Sequence, residues 1–354
     1  MTPATPARQP WRVVRGPGGA FSLKLDRRVP AMLLIMLLAT IGIMVWSVGT
    51  GEVAIAPLDV LRTLLHLPTD NVKDYDFVVN TLRLPRVLVA WLVGAMLGLA
   101  GSVIQTLTRN PLASPDITGV AAGAGLGAVI MIVAVPMATA VTLPLAALLG
   151  GLLVALLIYL LAWRNGDSPL RLILVGIGLA SVLGAAQTIL LLRAPPEIAQ
   201  RALFWLTGSI YARSWNNLIA LLPWCIMFVP LVLFHAAQMN AFHLGDDVAR
   251  GLGVHMQAQR GLLLLAAVGL TAAAISQVGA LGFVGLVAPH LSRRMVGPGH
   301  EGNLCISAMI GGLLVVASDF IGRVALSPAE IPAGIITALI GAPFFVYLLW
   351  RQSR

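Results

Sequence analysis

With 354 residues, 58% of them hydrophobic and 10% charged, and a mean hydropathy of +0.90, the chain is too apolar for a soluble domain, in which about a quarter of residues are charged. Its net charge of +9 has no basic recognition element behind it, so it points to anionic lipid at a membrane face and away from nucleic acid. Cys225 and Cys305 lie in or at the edge of apolar runs and read as small buried hydrophobes, not as a disulfide or a metal pair.

Residues 1–29 form a basic extension without a signal-peptide cleavage pattern, and the apolar run that follows is long enough to stay as an anchor. A helix needs about 20 residues to cross the hydrocarbon, and open sheet edges are excluded there. The apolar runs predict spans near 30–49, 87–107, 115–136, 141–163, 170–192, 216–236, 259–278, 281–296, 304–322 and 332–350. The fold expected is therefore all-α and polytopic, with ten transmembrane helices making one domain over 30–354. The run 281–296 is short and glycine-rich and 115–136 starts in small residues, so hydropathy alone also admits eight or nine spans.

Charge separates the two sides. With ten spans and a cytoplasmic N-terminus, fifteen of the 23 basic residues fall inside, leaving Arg62, Lys73, Arg83, Arg86, Arg193, Arg201, Arg213 and Arg323 outside. The acids split more evenly, and the resulting positive-inside bias places both termini in the cytoplasm. The outer segment 50–86 is acidic and closes on Arg83-Leu84-Pro85-Arg86; a second outer segment, 193–215, has mixed charge.

Small residues at Gly94, Gly98, Gly101, Gly119, Gly123, Gly125 and Gly127 permit close helix packing. Between two apolar runs, Gln105 to Asp116 is a polar, proline-punctuated break. Pro111 and Pro115 cannot continue a helix and Asn110 can satisfy the turn's backbone, so the break is read as a structural turn, with inner gating as the competing role. Pro289-His290 is expected to end or kink the eighth span, with His290 as a local hydrogen-bonding cap and not a proton carrier. The longest inner segment, 237–258, carries an amphipathic pattern with Asp246, Asp247, Leu252 and Gly253. It reads as short helices on the membrane face, either a docking site or a mere tie between spans.

Ionisable groups are nearly missing from the spans, whereas an ion-coupled carrier needs them near mid-membrane. The chain also lacks a phosphate loop, a dinucleotide fingerprint and a nucleophile–base pair, so it is not read as an enzyme, and no cofactor or metal is expected in it. His235, His243 and His255 have no ligand-spaced company.

Several tags then carry a resemblance that runs over almost the whole chain. They are Arg83-Leu84-Pro85-Arg86, Arg109-Asn110-Pro111-Leu112-Ala113-Ser114-Pro115-Asp116, Trp205-Leu206-Thr207-Gly208-Ser209, Gly282-Phe283-Val284-Gly285-Leu286-Val287-Ala288-Pro289-His290 and Glu330-Ile331-Pro332-Ala333-Gly334. The chain resembles the permease subunits of the bacterial ATP-binding-cassette importers for iron-siderophore complexes and vitamin B12. The tags Leu161 to Gly166 and Ser114 to Ile117, with the basic extension, look most like the ferric-enterobactin and related catecholate-siderophore permeases.

The resemblance implies the vitamin-B12-importer-type fold in the bacterial inner membrane. It implies a sister permease, a heterodimer being expected over a homodimer, and two ATPase subunits that bind the ATP and Mg. It also implies a substrate-binding protein and a ferric siderophore as cargo, with vitamin B12 or haem as the alternative and an ion-coupled carrier behind both. It maps coupling to the ATPase onto about 240–256, with Asp246, Asp247, Leu252 and Gly253. Docking of the binding protein falls on Arg83, Arg86 and Arg323; Arg83 and Arg86 could instead pair within the subunit or with lipid.

Overall fold

The computed structural model describes residues 11–15, 22–67, 75–115, 119–135, 139, 141–162, 169–242, 251 and 256–352. An antiparallel hairpin, β1 (Trp11–Arg15) and β2 (Ser22–Asp26), pairs Trp11 with Asp26 and Arg15 with Ser22. The all-α expectation thus holds for the membrane part but misses this small two-stranded element. Asp26 Oδ1 accepts the Arg28 amide at 2.9 Å and so opens the first helix.

The helices are α1 (Arg28–Gly49), α2 (Pro57–Leu64), α3 (Leu84–Leu107), α4 (Val120–Ala134), α5 (Thr142–Ala162), α6 (Pro169–Arg193) and α7 (Pro196–Leu206). They continue as α8 (Trp215–Phe234), α9 (Ala236–Phe242), α10 (Met256–Val278), α11 (Val284–Val296), α12 (His300–Val324) and α13 (Ala333–Gln352). A π-helical turn, Phe77–Arg83, runs directly into α3. Among the described residues, eight helices are long and apolar enough to cross a membrane: α1, the continuous Phe77–Leu107, α5, α6, α8, α10, α12 and α13. The two remaining expected spans are shorter, 15 residues in α4 and 13 in α11. Those are the same two runs in which small residues and glycine weaken the hydropathy signal.

The core sits around α3, of whose apolar window 83% is buried. It packs against α8, α10, α11 and α12 through residues such as Val89, Val93, Ala100 and Val103, all fully buried. Glycine makes the α3 seam possible. A side chain at Gly94 would collide with the carbonyl oxygen of Gly311 in α12, and one at Gly101 with that of Gly285 in α11. The Gly285 carbonyl is free for this approach because Pro289, four residues on, has no N–H to offer it. A second layer joins α4 to α5, α6 and α7, with Gln187 of α6 donating to the Ala122 carbonyl at 2.9 Å.

At one end of the bundle α7, α10 and α13 meet in backbone contact. Gly208, at φ +75°, lies against the Ala280 carbonyl, and its own carbonyl accepts the Gly334 amide at 2.9 Å. Ser209 donates its amide to the Val278 carbonyl at 2.7 Å. Ser214 and Asn217 then form a capping box at the start of α8, and Asn217 donates to buried Gln277 at 3.0 Å, tying α8 to α10. By contrast α6 is nearly bare, with 6% of its apolar window buried, and Leu339, Val346 and Trp350 of α13 are likewise exposed.

Candidate functional site

Chemistry concentrates at the two ends of the helices. The middle third of each of the eight long apolar helices contains no Asp, Glu, Lys, Arg or His.

At the outer end Arg86 makes a double fork. Its guanidinium donates to both oxygens of Asp319 in α12, at 2.8–3.1 Å, and to both oxygens of Glu330 in the segment before α13, at 2.8 and 3.1 Å. The Arg86 side chain is 12% exposed and that of Asp319 4%, so this pair of the triad is largely desolvated, while Glu330 at 29% keeps contact with solvent. Arg323 donates to the Ser47 carbonyl at 2.8 Å, to Ser47 Oγ at 2.6 Å and to the Thr50 carbonyl at 3.3 Å, with Asp319 3.7 Å away. Arg83 donates to the Val48 and Val53 carbonyls at 2.7 and 2.8 Å. The three arginines expected at a docking surface therefore gather in one place. Each guanidinium finds acceptors inside the subunit, in the carboxylates of Asp319 and Glu330 and the carbonyls around the end of α1, although Arg323 Nε is left without one.

Close by, Tyr211 lies under the Arg86 guanidinium, 5.9 Å from ring centroid to Cζ. It also lines a cleft of about 390 Å3 with Ile132, Leu143, Gln200, Arg201, Trp205 and Arg213. Burial pulls Arg213 below the ordinary arginine pKa.

The inner end is held by hydrogen bonds between side chains far apart in sequence. Helix α3 closes with Arg109 at φ +49°: the Arg109 amide returns to the Thr106 carbonyl and the Asn110 amide to that of Gln105, both orphan carbonyls of the last turn. Asn110 Oδ1 accepts the Leu112 amide at 2.9 Å, so the expected structural turn at Asn110-Pro111 is present. Gln105 Oε1 accepts a bond from Arg293 of α11. Buried His300 bridges Thr106 Oγ1 at 2.8 Å and Asn240 Oδ1 at 2.7 Å, and Asn240 donates to Glu301 at 2.9 Å. Arg109 Nε reaches the Phe242 carbonyl at 3.0 Å. The last turn of α9 is thereby pinned to the ends of both α3 and α12.

Of the two expected roles of Pro289, ending the helix drops out, since α11 runs through it to Val296. Among the described residues neither ring nitrogen of His290 finds a hydrogen-bond partner; the ring instead meets Phe344 edge-on, at a centroid distance of 5.6 Å, so it acts by packing and not as a cap. Asp246, Asp247, Leu252 and Gly253 lie outside the described residues. Among the described residues, no group of His, Cys, Asp and Glu could hold a metal ion.

Sequence reading missed the Arg86–Glu330 pairing and the Asn240–His300–Thr106 chain. Nothing local signalled either, since their partners lie far apart in sequence.

Comparison with known proteins bears on this architecture. The family model described as the FecCD transport family matches residues 35–351. The chain belongs to the FecCD transport family. Among FecCD-like relatives, the achromobactin transport system permease protein CbrC of Dickeya dadantii is 40% identical, over 95% of this chain and 96% of its own. The iron-uptake system permease protein FeuC of Bacillus subtilis is 40% identical over 87% of this chain and 94% of its own. A solved structure, a metal-chelate-type ABC transporter in an inward-facing conformation, matches with a TM-score of 0.80 and 31% identity, covering 91% of this chain and 99% of that one. Other relatives are named for Fe(3+)-citrate, iron(3+)-hydroxamate, ferric enterobactin and cobalamin, at 36–41% identity, so none marks an enterobactin type. This FecCD protein is thus a multi-pass inner-membrane permease subunit of an ABC transport system, and it is not itself the catalyst.

Proposed function

We propose that the chain is one permease half of an ATP-driven importer that moves a ferric siderophore from the outer face of the membrane to the cytoplasm. The observation that carries this reading is the uncharged middle of every long span, set in a chain with iron-named relatives. A carrier driven by an ion gradient needs an ionisable group at depth, and the described spans offer none. Energy then enters at the cytoplasmic face from two ATPase subunits that bind ATP and Mg. The segment about 240–256, with Asp246, Asp247, Leu252 and Gly253, is assigned to that contact; α9, pinned to α3 and α12, leads straight into it.

The exposed apolar faces of α6 and α13 are assigned to a sister permease and the path between the two, in a heterodimer. The short helices α4 and α11 are counted with the eight long ones as spans, which gives ten and puts both termini in the cytoplasm. The outer rim built by Arg83, Arg86 and Arg323 is assigned to the binding protein; charge there speeds and orients encounter more than it tightens the complex. Asn110, Pro111, Pro289 and His290 shape the inner mouth.

The test is ATP-dependent uptake of radiolabelled ferric catecholate into proteoliposomes holding this chain, its sister permease, the ATPase and the binding protein, with vitamin B12 and haem in parallel. Iron-chelate uptake that disappears without this chain is expected. Uptake of B12 or haem alone would keep the ATP-driven architecture and replace the cargo.

A further inference from the structure

Arg83, Arg86 and Arg323 gather at one end of the bundle, and Arg213 lies in the segment between α7 and α8. Arg83, Arg86 and Arg323 each have carbonyl or carboxylate acceptors within the chain. Arg213 has no side-chain acceptor among the described residues, and its Nε is buried without a partner. A guanidinium stays charged in a protein, and a buried cation without a counter-charge is unfavourable. Its position is nevertheless fixed by the backbone. Ser209 is anchored to the end of α10, Tyr211 donates its amide to Ser209 Oγ at 3.1 Å, and Ala212 is in the left-handed region at φ +55°. Arg213 is thus held against the cleft of about 390 Å3 between α4, α5, α7 and α10.

The rest of the lining suits an anion with an apolar body. Arg201, exposed on α7, adds a second positive charge, and Gln200 and Ser209 add neutral polar groups. Phe204 and Trp205 offer aromatic surface, and Ile132, Leu143 and Val278 close the apolar side. Among the described residues no carboxylate lines the cleft. Its volume is at the low end for ligand pockets, so it has room for one arm of a bulky chelate and not for the whole.

We infer that this cleft is a binding site for one anionic, oxygen-bearing arm of the cargo, a catecholate or carboxylate of a ferric chelate, with Arg213 as its charge partner and Arg201 as a second. The site rests on the import reading above and narrows it to cargo that bears negative charge. Arg86 above Tyr211 borders it without taking part, since its own donors are already occupied by Asp319 and Glu330.

The experiment uses the complete importer without its binding protein in nanodiscs, with iron-labelled tris-catecholate (trianionic) and tris-hydroxamate (neutral) chelates as probes. Arg213→Gln should weaken tris-catecholate binding about tenfold or more, as expected for loss of a charged hydrogen bond. Arg213→Lys should recover most of it, Arg201→Gln should cost less, and added salt should weaken the wild type more than Arg213→Gln. Size-exclusion profiles and basal ATP hydrolysis check that the variants assemble.

No measurable binding to wild type would overturn the site, as would equal affinity in Arg213→Gln or an equal loss for the neutral chelate. Binding that vanishes when phosphatidylglycerol replaces a zwitterionic lipid would assign the cleft to a lipid headgroup and overturn it too. Uptake by the complete system with binding protein separates the two levels. Ferric-chelate uptake by wild type with an unaltered rate in Arg213→Gln removes only this site, whereas wild type that carries cobalamin and no ferric chelate removes the import reading as well.

Discussion

Helices α3 and α6 are of similar length and both strongly apolar, yet the apolar window of the first is 83% buried by its own chain and that of the second 6%. What distinguishes them is what each faces. Helix α3 presents Gly94, Gly98 and Gly101 to neighbours that come close enough to touch backbone, which only chemistry on both sides can arrange. Around Gly178 and Gly184 of α6 nothing lies within 4 Å. Burial by its own chain therefore marks the part of the molecule that folds alone, and bare apolar length marks the part that waits for lipid or another subunit.

The largest effect should come from closing the α3 seam. Gly101→Val puts two methyl groups where the Gly285 carbonyl sits, and overpacking costs about 1–3 kcal/mol even where side chains can yield. Because the obstacle here is backbone, little or no monodisperse protein is expected on size exclusion. Gly178→Val, in open space on α6, should leave the yield unchanged. Equal yields of the two variants would break the comparison.

Next is the triad. Arg86→Gln leaves buried Asp319 with only the longer Arg323 contact at 3.7 Å as counter-charge, and breaking a buried pair costs about 3–5 kcal/mol. Thermal unfolding in detergent should shift down clearly. Adding Glu330→Gln to Arg86→Gln should recover part of the loss, because Asp319 then keeps Arg323 and no second carboxylate is left without its donor.

A smaller loss is expected from Asn240→Ala, which removes acceptors and a donor for His300 and Glu301. An unsatisfied buried polar group costs about 1–3 kcal/mol. The sharper readout is functional: ATP hydrolysis per transported molecule should rise, because α9 is no longer fixed to α12. An unchanged ratio would confine Asn240 to stability.

The smallest effect on the isolated subunit should come from Val182→Ala and Leu192→Ala on α6, residues 65% and 80% exposed. Changes at sites without such contacts stay within about 0.5 kcal/mol, so the unfolding temperature should hold while co-purification of the sister permease falls. Retained pairing would move that interface to another face.

The positions of the helices were legible in the sequence because hydropathy and charge act locally. Among the described residues, the eight helices long and apolar enough to cross a membrane all fall on expected runs, and the two doubtful runs are the two that prove short. The turn at Asn110-Pro111 was legible for the same reason, since proline and asparagine chemistry needs only neighbours. The hairpin was readable in principle, as Trp11–Arg15 and Ser22–Asp26 alternate around Gly16-Pro17-Gly18-Gly19, but the basic charge drew attention to lipid instead. Arg86 was found, with pairing inside the subunit as one of its expected roles, but its partners were not, because Asp319 and Glu330 lie 233 and 244 residues away and no local pattern reports them. Arg213 was counted among the outer cations and otherwise passed over. What draws attention to it is a guanidinium that lines a cleft with no acceptor among the described residues, which only the folded chain reveals.

The meeting of Gly208, Ala280 and Gly334 carries a mechanical consequence. Three chain segments touch there main chain to main chain, with no side chain between them to act as a compressible gasket. The outer ends of α7, α10 and α13 thus share a single pivot, and a tilt of α13 away from it must either carry α7 along or break the Gly334-to-Gly208 hydrogen bond. The three helix ends therefore shift together or lose that bond, where three separate helices would have had several independent motions.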